Sequence, residues 1–355
     1  MAISQGATRR ATAAALPGAP VGSLRFDWAA ILLGSWFAAG LQLDGWAHTH
    51  IPQLETFFTP WHGALYSGYA AYALFLAASA VRFHMRGYAW LSSLPAGYMP
   101  SLVGAAIFGV GGVLDLIWHT IFGIERSIDA LLSPTHLILA TGLLLMISGP
   151  LRGAWGRGPV GATVPWRAIA PALLALAYIF FLLTFFTQYA NPITHSYADK
   201  PTLGLTRDLG VTSILLQTGI QMGVVLLAVR RWRLPLGAFA LIFALNFASS
   251  AILAEQSPVL SVAILGALVG LAVDLLNRAL DPTNGPVVRF RLFAFAVPFI
   301  NYVVYFLALL AIHGITWTVH LWVGSIVIAG ATGLLLSYLL VPPTTVAGTA
   351  SPPVA

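Results

Sequence analysis

Residues 99–121 read MPSLVGAAIFGVGGVLDLIWHTI, and this stretch decides the fold class. Its only full charge is Asp115, and it is close to the ~20 residues that a helix needs to cross a bilayer. Similar runs recur along a chain that is 58% hydrophobic and 8% charged, whereas an ordinary soluble domain has about 25% charged residues. Because the backbone must satisfy its own hydrogen bonds in lipid, and the alternating segments of a barrel are absent, we expect an all-α, polytopic membrane bundle.

The hydropathy pattern predicts about ten transmembrane helices, of which the fourth and seventh are short. They cover residues 27–48, 61–82, 99–121, 134–150, 167–188, 209–229, 235–253, 258–277, 292–312 and 318–341. The membrane domain therefore spans residues 25–341. The Ala-, Gly-, Ser- and Pro-rich ends, residues 1–24 and 342–355, are predicted to be disordered cytoplasmic tails.

The basic residues predict how the helices are oriented. With the N-terminus inside, all but three of the 17 Lys and Arg residues, Arg126, Lys200 and Arg207, lie on the cytoplasmic side. This bias predicts a multi-pass protein of the plasma membrane with both termini in the cytoplasm, and it argues against nucleic-acid binding despite the net charge of +6. All but one of the 9 histidines, His84, then lie outside. The chain has no cysteine, which excludes disulfides, iron–sulfur clusters and thiolate metal sites.

One pattern of acidic residues and histidines occurs twice at the predicted outer helix ends. A carboxylate and a histidine stand four residues apart, and a hydroxyl residue, a proline and a second histidine follow at the next helix start. The copies are Asp44-Gly-Trp-Ala-His48 with Thr59-Pro60-Trp61-His62, and Asp115-Leu-Ile-Trp-His119 with Ser133-Pro134-Thr135-His136. Residues i and i+4 share a helix face, so the first two side chains can point at one ion. The hydroxyl residue can cap the next helix and the proline suits its first turn, which orients the second histidine.

These six residues predict transition-metal binding. A carboxylate inside a membrane span costs a few kcal/mol and usually marks function. A catalytic metal commonly has three protein ligands and one open position, and one carboxylate with two imidazoles suits Zn, Fe, Mn or Cu without selecting among them. We call Asp44, His48 and His62 the first Asp/His set, and Asp115, His119 and His136 the second. The candidates for extra ligands, or for partners that orient the ligands, are His50, Glu55, Glu125, Asp129, His313 and His320.

A degenerate third copy, without the ligands, occurs at Asn246-x3-Ser250 and Ser257-Pro258. It favours a duplication of helix hairpins in which only two copies kept metal-binding residues. The residues leave several functions open. The first is a metal-dependent membrane oxidoreductase. The second is a metal-ion or proton transporter with the hairpins around its pathway, although ionisable residues are almost absent from the inner helix halves. The others are an electron carrier with an outer-face haem between two histidines, and a zinc hydrolase with Glu55 as general base.

The stretch Asp44-Gly-Trp-Ala-His48 with Phe58-Thr59-Pro60-Trp61-His62 resembles the membrane C subunit of particulate methane and ammonia monooxygenases. In that family an Asp and a His one turn apart bind copper together with a Thr-Pro-x-His helix start. A second family site has Asn-x3-His and a later His; Asp115, His119 and His136 occupy that arrangement, with Asp in place of Asn. The similarity covers roughly residues 40–140 of a chain that is longer than the family's C subunit. The resemblance implies copper, dioxygen, a small apolar substrate delivered from the membrane, and other subunits or a homo-oligomer.

Overall fold

A computed structural model describes residues 18–51, 58–123, 125, 127–199, 204–254 and 258–343. Twelve α-helices make up most of these residues: α1 Leu24–His50, α2 Pro60–His84, α3 Met99–Phe122, α4 Ser127–Leu132, α5 Pro134–Ile147, α6 Gly149–Trp155, α7 Trp166–Phe186, α8 Gly204–Arg231, α9 Ala238–Leu253, α10 Val259–Leu280, α11 Val287–Ile312 and α12 Val319–Leu340. Short 3-10 helices cover Trp90–Ser92 and Gln188–Ala190. The only strands in the described part are β1 Ala162–Thr163 and β2 Trp232–Arg233, which pair in parallel. The prediction of an all-α fold is confirmed.

Eight of the helices in the described residues are long and apolar enough to cross a membrane: α1, α2, α3, α7, α8, α10, α11 and α12. Helices α5 and α6 form a ninth span if the pair, which is bent by 42°, counts as one. The chain is therefore a multi-pass membrane protein in contact with lipid. Every predicted segment coincides with a helix, but ten full-length spans is only an approximate count.

Two of the predicted spans form shorter helices than a full membrane crossing needs, and in each a local residue explains the shortening. The segment predicted as 134–150 breaks at Ser148, because Pro150 lies in the first turn of α6 and cannot continue the hydrogen bonding of α5. The segment predicted as 235–253 becomes a helix only at Ala238, since Gly237 precedes it with φ of 89°. Only glycine adopts that left-handed conformation readily. The predicted tails lie largely outside the described residues.

The chain divides into two compact units, one of residues 1–47, 53–125 and 133–157, the other of residues 48–52, 126–132 and 158–355. In the first unit, α1 and α2 approach closely through glycines. A Cβ atom on Gly68 would lie 2.7 Å from the Cα of Phe37, and one on Gly40 would lie 2.7 Å from the Cα of Leu65. The Tyr72 hydroxyl donates to the carbonyl of Met146 in α5 at 3.0 Å. These contacts hold α1, α2 and α5 together along the helices that carry the Asp/His sets.

In the second unit, the start of α9 is tied to α10 by one buried carboxylate. Asp274 is 1% exposed, and it accepts backbone N–H bonds from Gly237, Phe239 and Ala240 at 3.0, 3.1 and 3.1 Å. A helix start leaves its first N–H groups without partners in the helix. Asp274 therefore satisfies them as a structural residue and is not available as a ligand.

Candidate metal centre

The first Asp/His set lies where α1 ends and α2 begins. Asp44 and His48 are one helical turn apart on α1, and His62 is the third residue of α2. One ligand atom from each of the three residues can be chosen so that all lie within 4.8 Å of one another. Nδ1 of His62 is 3.5 Å from Oδ1 of Asp44, and both residues are 7% exposed. The i, i+4 spacing and the following helix start thus bring three ligands together, as the sequence predicts.

Thr59 fixes the orientation of His62. Its side chain accepts the backbone N–H of His62 at 3.1 Å, which makes Thr59 the N-cap of α2, with Pro60 as the first helical residue. The same hydroxyl lies 2.9 Å from Nδ1 of the His62 ring. The cap residue therefore holds both the backbone and the imidazole of its histidine.

The second Asp/His set has the same construction where α3 ends and α5 begins. Nε2 of His119 is 3.5 Å from Oδ1 of Asp115, and Nε2 of His136 is 3.3 Å from the same oxygen. An N–H···O hydrogen bond is usually shorter, at about 2.7–3.2 Å. Two ligands about 2.1 Å from a shared tetrahedral ion are about 3.4 Å apart. The spacing of this set is therefore compatible with three ligands of one ion.

The other ring nitrogens in the second set are already occupied. Nδ1 of His119 lies 3.2 Å from the carbonyl of Gly123, which can only accept, so Nδ1 is the donor; in a neutral ring, the lone pair of Nε2 then faces Asp115. Glu125 Oε2 lies 3.3 Å from the same Nδ1. Nδ1 of His136 lies 2.9 Å from the hydroxyl of Ser133, which also caps α5. Such partners select the tautomer and the ring orientation of metal-binding histidines.

Three residues that support the second Asp/His set were not among the predicted ones. Thr135 donates to Oδ1 of Asp115 at 2.8 Å, and the indole of Trp118 donates to Glu125. Gly123 ends α3 with φ of 81°, which lets its carbonyl face His119. A glycine directly after an apolar helix is a standard sign of a helix end and could have been recognised in the sequence. The contacts of Thr135 and Trp118 have no such sequence signature.

All residues of the two sets except His48 belong to the first unit, and their charges interact there. The carboxylate of Asp44 interacts electrostatically with Asp115 and His119 of the second set. Tyr66, one turn after His62 on α2, stacks on the His62 ring with centroids 6.4 Å apart. A Cβ atom on Gly112 would lie 2.9 Å from the hydroxyl of Tyr66, so this tyrosine packs against α3 less than one turn before Asp115.

The remaining candidates have different placements. Glu125 lies beside His119, as described above. His50 is the last residue of α1, with Nδ1 2.8 Å from the hydroxyl of Thr49, and it is in neither set. Glu55 lies outside the described residues. Three others are exposed and belong to neither set: Asp129, His313 and His320.

The third copy of the pattern carries hydrogen bonds in place of ligands. Asn246 donates to the hydroxyl of Thr184 at 2.8 Å, and Ser250 accepts from Asn191 at 3.2 Å. Helix α10 begins after Pro258 without a side-chain cap among the described residues, and Ser257 lies outside them. Asn246 therefore bonds α9 to α7, and Ser250 bonds α9 to the segment that follows the 3-10 helix Gln188–Ala190.

Comparison with known proteins adds no identity. No family model, no curated protein and no solved structure matches the chain. What the chain itself establishes is a multi-pass helical membrane protein with two buried Asp/His groups that can bind metal.

Proposed function

We propose that this protein is a copper-dependent membrane oxidoreductase that oxidises a small apolar substrate, as a monooxygenase does. The observation that carries the proposal is the second Asp/His set, in which two imidazole Nε2 atoms lie 3.3 and 3.5 Å from one carboxylate oxygen. The first set repeats the ligand types on a second helix pair.

The charges in the two sets favour bound cations. Asp115 is 1% exposed and Asp44 7% exposed, and both lie within membrane helices. Buried carboxylates are stable as ions only when a positive charge lies close to them. Because Gly123 holds Nδ1 of His119, Nε2 faces Asp115, where a metal ion can take the place of a proton between the two side chains. A divalent ion held by each set would supply that positive charge.

The ligand types alone suit copper, iron or zinc, and the resemblance around Asp44 to His62 favours copper. When bound, copper would supply dioxygen binding and electron transfer. The residues around the ligands hold them in position: Ser133 and Thr59 orient the imidazoles, and Thr135 orients the carboxylate of Asp115. Three protein ligands leave a position open for a reactant.

The surroundings of the second set suit an apolar substrate. The part of α3 that carries Asp115 and His119 also has four exposed large apolar side chains: Leu114, Ile117, Ile121 and Phe122. On a membrane helix, side chains exposed in this way face lipid or a partner subunit. A small hydrocarbon and dioxygen both dissolve in lipid, so the bilayer can supply them. We further propose that both sets lie at the outer face of the plasma membrane, with both termini in the cytoplasm and with further subunits or copies completing the enzyme.

The test identifies the bound metal and measures turnover of a substrate by the same protein. The full-length protein, expressed with copper and purified, is examined by electron paramagnetic resonance and assayed for alcohol formation from short alkanes with dioxygen and a reductant. We expect a copper signal with nitrogen ligands and product formation, both greatly reduced in His119→Ala. The matched control is His84→Ala, because His84 stacks on Trp90 and contacts the carbonyl of Tyr88 outside both sets.

Other outcomes would point to the alternatives. A chain that carries zinc in place of a redox metal would contradict an oxidoreductase and favour hydrolysis. Metal uptake into proteoliposomes that is lost in Asp44→Ala would favour a transporter. A Soret band in protein from haem-replete cells would favour an electron carrier.

A further inference from the structure

The second unit contains a polar cavity among its membrane helices, and none of its lining residues belongs to either Asp/His set. Its walls come from α7, α8, α9, α11 and the segment of residues 191–193. Asn246, in one wall, lies about 10 Å before the end of α9 at 1.5 Å per residue. The space open to the centres of water molecules is about 30 Å³, and one water needs about 10–15 Å³ by that measure. The cavity thus has room for two or three waters, or for one molecule of a few heavy atoms.

The polar groups of the cavity are uncharged. Gln217 and Gln221 on α8, Asn246 on α9 and Asn301 on α11 all line it and are all buried. No described residue in its walls is acidic or basic. An ion in such a place would lack an opposite charge in surroundings of low dielectric constant. The cavity therefore favours a neutral occupant.

Two of these four amides donate hydrogen bonds to protein groups, and each of the other two has one buried group without a partner in the described structure. Gln217 donates to the carbonyl of Ala190 at 2.9 Å, and Asn246 donates to Thr184 at 2.8 Å. In contrast, Nε2 of Gln221 and Oδ1 of Asn301 are buried without a hydrogen-bond partner in the described structure. Gln221 is 3% exposed and Asn301 is 8% exposed. Buried polar groups in proteins are nearly always hydrogen-bonded, so one donor and one acceptor here require a partner.

The wall formed by residues 191–193 is firmly attached to the helices. The Tyr305 hydroxyl on α11 donates to the carbonyl of Pro192 at 3.2 Å. Asn191 donates to Ser250 on α9 at 3.2 Å, and its own side-chain oxygen accepts the N–H of Ile193 at 2.9 Å. Bonds to two helices fix this segment, so the cavity is a built feature of the fold.

We infer that this cavity binds a small uncharged molecule that both donates and accepts hydrogen bonds, of the size and chemistry of a short amide or alcohol. The Nε2 group of Gln221 donates to the bound molecule and Oδ1 of Asn301 accepts from it. Phe180 and Phe247 in the walls contact its apolar part.

Saturation-transfer NMR on the full-length protein in nanodiscs tests the site with two probes of nearly equal size. Acetamide is neutral and has both hydrogen-bonding functions, whereas acetate is an anion of the same shape. We expect acetamide to give a saturable signal above that of empty nanodiscs, and acetate to give none. Saturable acetate binding equal to that of acetamide would overturn the inference, and so would the absence of any acetamide signal, which would mean that the cavity holds only water.

Substitutions then locate the bound probe. Asn301→Leu and Gln221→Leu lie on different helices, and each is expected to weaken acetamide binding about five-fold through the loss of one neutral hydrogen bond. The matched control is Asn277→Leu, because Asn277 is also buried in the second unit with an unpartnered Oδ1 but does not line the cavity. Equal weakening in all three variants, or in none, would contradict the site. If either cavity variant fails to fold, the other variant and the wild-type pair of probes still decide.

Discussion

Replacing Ser133 with alanine should weaken metal binding although Ser133 is not a ligand. Its hydroxyl lies 2.9 Å from Nδ1 of His136 and accepts the backbone N–H of the same residue at 3.4 Å. The ring of His136 is thereby held with Nε2 towards Asp115, 3.3 Å away. Without the hydroxyl, the imidazole can rotate away from the carboxylate.

The expected loss follows from the two roles of Ser133. Removal of an N-cap side chain costs about 1 kcal/mol of helix stability. Removal of the group that orients a metal-binding histidine lowers metal affinity by about 10–100-fold. Since His136 is only one of three ligands, we expect Ser133→Ala to weaken binding about 10-fold, or about 1.4 kcal/mol, with the protein still folded.

Competition with a chelator of known affinity in detergent solution measures this loss. Thr141→Ala is the matched control, because Thr141 lies on the same helix, belongs to neither set and donates to the carbonyl of Leu137. Ser133→Thr should retain near wild-type affinity, since Thr59 occupies the same place in the first Asp/His set. Wild-type affinity in Ser133→Ala, together with a large loss in His136→Ala, would refute the orienting role.

Three further predictions concern pH, helix packing and a helix cap. Metal affinity should fall at acidic pH, because protons compete with the metal for the imidazole nitrogens; a pH series of chelator competitions measures this, and a flat profile would contradict histidine ligands. Gly68→Ala should destabilise the first unit by about 1–3 kcal/mol, since its Cβ atom would lie 2.7 Å from the Cα of Phe37; thermal unfolding in detergent checks this, and an unchanged Tm would contradict the close packing. Asp274→Ala should also lower the Tm, because three backbone N–H groups lose their acceptor. Leaving a buried polar group without a partner costs about 1–3 kcal/mol of folding stability. The metal content of this variant should not change.

The parts of this protein that depend on local spacing were predictable from the sequence. Asp115 and His119 share a helix face because they are four residues apart, and Ser133 and Thr59 cap their helices because hydroxyl residues before proline commonly do so. The long apolar runs likewise predicted the helices, because they too are a local feature of the sequence. Where Pro150 interrupts a run, the sequence predicted a short helix, but not the 42° bend; the described chain has eight full spans, or nine if the bent pair counts as one.

The parts that depend on distant contacts were not predictable. Thr135 reaches Asp115 across 20 positions of sequence, and no spacing rule marks that pair. Likewise, the sequence offered His313 and His320 as candidates because they flank an outer turn, but both are exposed and in neither set. Side chains at similar predicted depth can face different directions, and only packing decides which of them meet.

The metal content of purified protein tests the central claim most directly. Elemental analysis after expression with copper, iron and zinc should find copper bound to the wild-type chain, less of it in Asp115→Asn, and almost none when Asp44→Asn is added. His84→Ala should keep the wild-type content. A wild-type protein without any transition metal, or a double Asp variant that retains its full metal content, would contradict the account.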